Sequence, residues 1–70
     1  MMPLAMMHCN EPCVVQKVLG KPDVVKHLAD LGICTGAKIE IVQYICGNAV
    51  VAVRGSRIAL DRSLMMKIMV

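Results

Sequence analysis

Residues 21–36 read K-P-D-V-V-K-H-L-A-D-L-G-I-C-T-G, and the rest of the chain is read outward from them. Pro22 fixes φ and lacks an N–H, which suits the first turn of a helix. Asp23 sets a carboxylate near that N-terminus, where unpaired N–H groups and the positive dipole end favour it. Val24, Leu28 and Leu31 recur at i, i+4 and i+7, with Val25 broadening the stripe, so one face is apolar. Lys26, Ala29 and Asp30 fall mostly on the other side. Gly32 stands where a left-handed stop residue is wanted, and Ile33 comes next, over the last turn. Thr35-Gly36 then predicts a tight turn that launches a strand at Lys38. One short helix is buried against something, and the chain beyond it is β.

On the N-terminal side, Leu4 to Met7 predicts a single helical turn. His8-Cys9-Asn10-Glu11 is a turn in which Asn10 tolerates a positive φ. Cys13 to Leu19 is β-branched and predicts the first strand. Its alternation slips, since Cys13 and Val15 share a face while Val18 takes the opposite one, which calls for a bulge or sharp bend. Gly20 ends it.

On the C-terminal side, Lys38 to Cys46 predicts a strand with Ile39, Ile41 and Ile45 on one face. Gln43 interrupts the pattern and implies strong curvature. Gly47-Asn48 reads as a two-residue hairpin turn, with Ala49 to Val53 returning. Arg54-Gly55-Ser56 turns again before a short strand from Arg57 to Leu60. Asp61-Arg62-Ser63 caps a helical turn over Leu64 and Met65, and Lys67 to Val70 closes the chain as a fifth strand. Five short strands with one short helix between the first two predict a mainly β fold, a small five-stranded SH3-like barrel.

Seventy residues make one domain, 1–70, with a marginal core. Apolar residues make up 57% of it, almost all aliphatic or methionine, with Tyr44 the only aromatic. That surplus predicts apolar surface left outside for a partner or for self-association, so a homo-oligomer stays open. No run of eighteen apolar residues exists to span a bilayer. The start, M-M-P-L-A-M-M, lacks a basic n-region and is too short for a signal peptide, which predicts a cytoplasmic protein. Cys9, Cys13, Cys34 and Cys46 allow two disulfides, and without a secretion signal they read as reduced thiols. A net charge of +3 permits acidic partners without requiring nucleic acid.

No catalytic constellation stands out. His8, Cys9 and Cys13 form one loose cluster that could hold a metal ion, with Glu11 beside it. Structural zinc sites show paired short spacings, so turn and strand residues with incidental thiols are the plainer reading. His27 reads as a helix-surface residue. Methionines cluster as pairs at both chain ends, Met1-Met2, Met6-Met7 and Met65-Met66, and read as an adaptable contact surface rather than a copper site. Arg54, Arg57 and Arg62 flank the late turns as solvated cations. Without Phe or Trp there is no stacking platform for single-stranded nucleic acid and no aromatic groove for proline peptides.

Two stretches together resemble the FeoA family of small ferrous iron transport proteins. Residues 28–41 read L-A-D-L-G-I-C-T-G-A-K-I-E-I, and residues 50–60 read V-V-A-V-R-G-S-R-I-A-L. They match the family's L-x-x-L-G-[LI]-x-x-G turn through Leu28, Leu31, Gly32, Ile33 and Gly36. The later V-x-G-x-x-[IL]-A-L pattern falls on Val53, Gly55, Ile58, Ala59 and Leu60. K-V-L-G at residues 17–20 and K-I-x-V at residues 67–70 extend the resemblance over nearly the whole chain. Asn10 replaces a frequent glycine, Met65 replaces a small alanine, and the arginine-rich helix face of many relatives is thinned to Lys26 and His27.

The resemblance implies a non-enzymatic accessory protein of bacterial ferrous iron uptake with no cofactor. Its implied partner is the cytoplasmic GTPase region of the FeoB transporter, met at the inner face of the membrane without insertion. The apolar surplus places that contact at the helix exit, on Leu31, Gly32 and an exposed Ile33, with Met6, Met7 and Met65 nearby. Two other readings accompany it. One is a metal-responsive module like the barrels of iron- and manganese-dependent repressors, disfavoured because seventy residues hold only the barrel. The other is a small metal-binding protein using His8, Cys9 and Cys13.

Overall fold

Helix α1 covers Pro22–Asp30 in the computed structural model, which describes residues 1–70. Its first turn holds Pro22 and Asp23, and Lys21 at the N-cap makes no side-chain capping bond. Asp23 therefore acts through the helix dipole. At the exit Gly32 takes a φ of 93°. The Gly32 N–H donates to the Ala29 carbonyl at 2.9 Å, and the Ile33 N–H reaches back to the Leu28 carbonyl at 2.8 Å. These are the two bonds of a Schellman motif, and its accompanying apolar contact joins Leu28 to Ile33. Both side chains are fully buried.

The predicted first strand is two strands. β1 is Cys13–Val14 and β2 is Lys17–Val18. The chain changes sheets at Val15-Gln16. Val15 exchanges bonds with Ala37 and Gly36 at 2.8 Å, while the Gln16 N–H donates to Met69 at 2.8 Å. The slipped alternation is this bend.

β3 (Lys38–Ile45), β4 (Asn48–Val53) and β5 (Ser56–Leu60) form an antiparallel meander, and β1 joins it to give the order β1-β3-β4-β5. Between Ile41 and Gln43 the register shifts by a bulge. One extra residue swaps the two faces beyond it. Ile39 and Ile41 are buried, but Ile45 is half-exposed, and Tyr44 sits opposite the buried Ala49 instead. Ile45 is therefore not a core residue.

The β3–β4 turn is Cys46-Gly47, one residue earlier than the Gly47-Asn48 expected, because Ile45 pairs with Asn48. Both turn residues have positive φ, 48° and 83°, the signature of a type I′ turn whose twist suits a hairpin. Arg54-Gly55 repeats the pattern with 51° and 77° between β4 and β5.

The second sheet is β2 with β6 (Ile68–Met69). Met2 and Val70 exchange bonds of 2.9 and 2.8 Å beside a bridge from Pro3 to Met69. Helix α2 (Arg62–Met65) is capped by Asp61, whose Oδ1 accepts the Leu64 N–H at 2.8 Å. It packs against the 3-10 turn Leu4–Met6. Leu4, Leu28, Ile33 and Met65 join the strand residues in one core of twelve buried side chains. The result is the expected mainly β, SH3-like barrel, with α1 following the expected first strand, here β1 and β2, and the brief α2 before β6.

Candidate functional site

The expected contact residues divide. Ile33 and Met65 are buried, at 0% and 1% exposure, and Gly32 is buried beneath the Arg54 side chain. Leu31 and Met7 are half-buried, and only Met6 stands free, at 59%. The helix exit is therefore no docking patch centred on Ile33. The Schellman bonds that end α1 turn Ile33 inward onto Leu28. Met65 fills the core.

Among the exposed apolar side chains, four methionines lie toward the joined chain ends, and Ile45 stands apart at the β3–β4 hairpin. Met1, Met2, Met6 and Met66 are exposed. Met6 is on the 3-10 turn and Met66 comes directly after α2, two elements in contact. Tyr44 reaches the same turn from β3. Its hydroxyl donates to the Met7 carbonyl at 2.7 Å and lies 3.4 Å from that of Ala5. Burial pushes its pKa above 10.0, with a further upward push from Cys9 and an opposing one from Arg62. Sequence reasoning missed this tether. The signal was present in Gln43, since a bulge there moves the only aromatic ring to the inward parity.

The structure does not assemble His8, Cys9 and Cys13 into a ligand set. His8 points to solvent, while both thiols are half-buried. The Cys13 thiol donates to the Ile39 carbonyl at 3.3 Å, and burial, then Glu11 and Glu40, raise its pKa above 9.0. A thiol held protonated is a poor ligand and a poor nucleophile. No three His, Cys, Asp or Glu side chains are grouped to hold a metal ion, and all four cysteines are free.

A shallow groove of about 220 Å³ crosses the outer side of the sheet between Pro12, Lys38, Glu40, Ala52 and Arg54. Two cations and one carboxylate line it, with no nucleophile and no general base paired to one. The site residues are suited to binding. No helix is long and apolar enough to cross a membrane.

Comparisons with known proteins agree with this architecture. The FeoA domain model matches residues 2–70. A Methanocaldococcus jannaschii protein named Fe(2+) transport protein A is 34% identical over 70 residues, covering 100% of this chain and 85% of its own. A crystal structure of an iron uptake regulatory protein, FeoA, superposes with a TM-score of 0.87 at 25% identity, over 96% of this chain and 89% of that one. The zinc complex of Stenotrophomonas maltophilia FeoA, described as a prokaryotic SH3 domain protein, gives 0.84 at 24% identity, over 99% and 88%. A manganese-dependent transcriptional repressor shares the fold at 0.82 and 16% identity, with 94% of this chain lying on 38% of that one. Over residues 2–70 the chain belongs to the FeoA family, and a curated relative is named for Fe(2+) transport.

Proposed function

We propose that these 70 residues act as one FeoA domain, a non-enzymatic accessory protein of ferrous iron uptake working from the cytoplasmic side of the membrane. Its partner is the cytoplasmic GTPase region of an FeoB-type transporter. The observation that carries the reading is the methionine end. A chain of this family, without a grouped ligand set, leaves Met6, Met66 and Tyr44 more than two-fifths exposed on neighbouring elements. Flexible thioethers beside one anchored aromatic ring make a surface that re-packs against a protein.

The test is a pull-down of the transporter's soluble domain, with and without GTP, using Met6→Glu and Met66→Glu. A charge at a buried interface anchor costs about 2–4 kcal/mol, so either variant should bind at least tenfold more weakly while staying folded. Full affinity in both would refute the methionine surface. The likeness to the manganese-dependent repressor favours a second reading, a regulatory barrel packed against a metal-sensing domain. That reading predicts no retention on the transporter domain at all.

A further inference from the structure

An antiparallel sheet with one face on the core ordinarily turns polar residues outward on the other. On the central strand β4 the outward positions are instead Val50 and Ala52, alternating with the buried Ala49, Val51 and Val53. Pairing sets Glu40, Ala52 and Arg57 side by side in one row across β3, β4 and β5. The next row is Gln43, Val50 and Ala59. The face thus has a centre of small apolar side chains, a carboxylate on one flank and a guanidinium on the other. Adjacent strands are about 4.8 Å apart, so the two charged residues are separated by roughly 10 Å at the backbone. Neither takes part in a side-chain hydrogen bond within the chain.

We infer that this outer face of β3, β4 and β5 is a self-complementary docking surface for a second copy of the chain. A two-fold axis lying between two facing sheets and running along β4 carries Glu40 of each copy over Arg57 of the other. Ala52 and Val50 then meet their own counterparts at the centre. Small side chains there let the sheets approach to the usual spacing of about 10 Å, which Glu and Arg are long enough to bridge. An axis across the strands would set Glu40 on Glu40 and Arg57 on Arg57, so charge selects the first arrangement. Glu40 also lines the shallow groove beside Ala52, which gives the incoming guanidinium a concave seat. Lys38 and Arg54, both exposed in the single chain, line the same groove, and the Arg54 side chain lies over Gly32. Three short strands cover less area than a standard interface, so the dimer is weak, half-assembled at roughly 0.1–1 mM.

Sedimentation equilibrium on the isolated chain, from roughly 10 μM to 2 mM so as to bracket that range, tests the inference without any transporter. The unaltered chain should pass from monomer to dimer. Glu40→Arg and Arg57→Glu each bring like charges together twice and should weaken association about tenfold or more. The double reversal should restore it, and Ala52→Arg should block the centre of the face. All of these positions lie outside the core, so thermal unfolding should match the parent in each variant. A chain that stays monomeric throughout overturns the inference. So does a dimer untouched by the single variants, or one that the double reversal fails to restore.

Discussion

The side chain of Arg54 lies across Gly32, its Cδ 3.1 Å from the point a Cβ on Gly32 would occupy. The β4–β5 turn thereby roofs the exit of α1. Gly32 holds a φ of 93°, which no L side chain adopts without strain. Gly32→Ala should cost about 1–3 kcal/mol, lowering the melting temperature by roughly 5–20 °C for a domain of this size. Arg54 is flexible and exposed, so Arg54→Ala should recover little of the loss. If thermal unfolding of Gly32→Ala matches the parent, backbone strain at the helix exit is not what glycine relieves.

Ile33 and Met6 make a second, contrasting pair. Ile33 is wholly buried, so Ile33→Asp places an unpaired charge in the core. The expected loss exceeds about 4 kcal/mol, most of the stability a chain of this length has. Met6→Glu, at an exposed site, should stay within about 0.5 kcal/mol of the parent. Urea titration monitored by circular dichroism reads both. A folded Ile33→Asp would contradict the inward turn after Gly32.

Tyr44 supplies a pH dependence with a definite sign. Its pKa is raised in the fold, above the ordinary 10.0, so folding favours the protonated phenol that donates to the Met7 carbonyl. The stability it contributes is complete below the unfolded pKa and is lost as pH rises through the folded one. Tyr44→Phe should cost no more than about 1 kcal/mol at neutral pH, since the tether is partly exposed. The gap between parent and variant should close in alkali. Tyrosinate absorbance reports on this residue alone, because the chain holds no other aromatic. A gap that stays constant through the titration would mean the hydroxyl bond contributes nothing.

The local grammar of the chain carried much of the fold. Pro22, Gly32 and the i, i+4, i+7 stripe placed α1, and Asp61 placed α2, because caps and stops act through bonds within a few residues. One family motif lies at the exit of α1 and the other on the β4–β5 turn and β5. Parity was harder to read. Ile45 and Tyr44 exchange faces through one bulge; Gln43 marks the break in the alternation of β3, but the register beyond it is set by pairing with β4. The hairpin turn shifted by one residue because Cys46 tolerates a positive φ beside Gly47. For the candidate site, composition disclosed spare apolar surface without its location. The local stop at Gly32 turns Ile33 inward and tertiary packing buries Met65, and the two together move the candidate contact from the helix exit toward the methionines at the chain ends.

The exchange of bonds between Met2 and Val70 sets an order of events on the ribosome. β2, Met2 and Pro3 find their strand partners in residues 68–70. Until that last strand emerges, the β3–β4–β5 meander can form, but the second sheet has nothing to close upon. Leu4, packed near α2 in the finished barrel, waits in solvent meanwhile with the N-terminal methionines. Nascent chains therefore carry β2 and the N-terminal methionines without those partners until residues 68–70 have been made, and the second sheet closes only then.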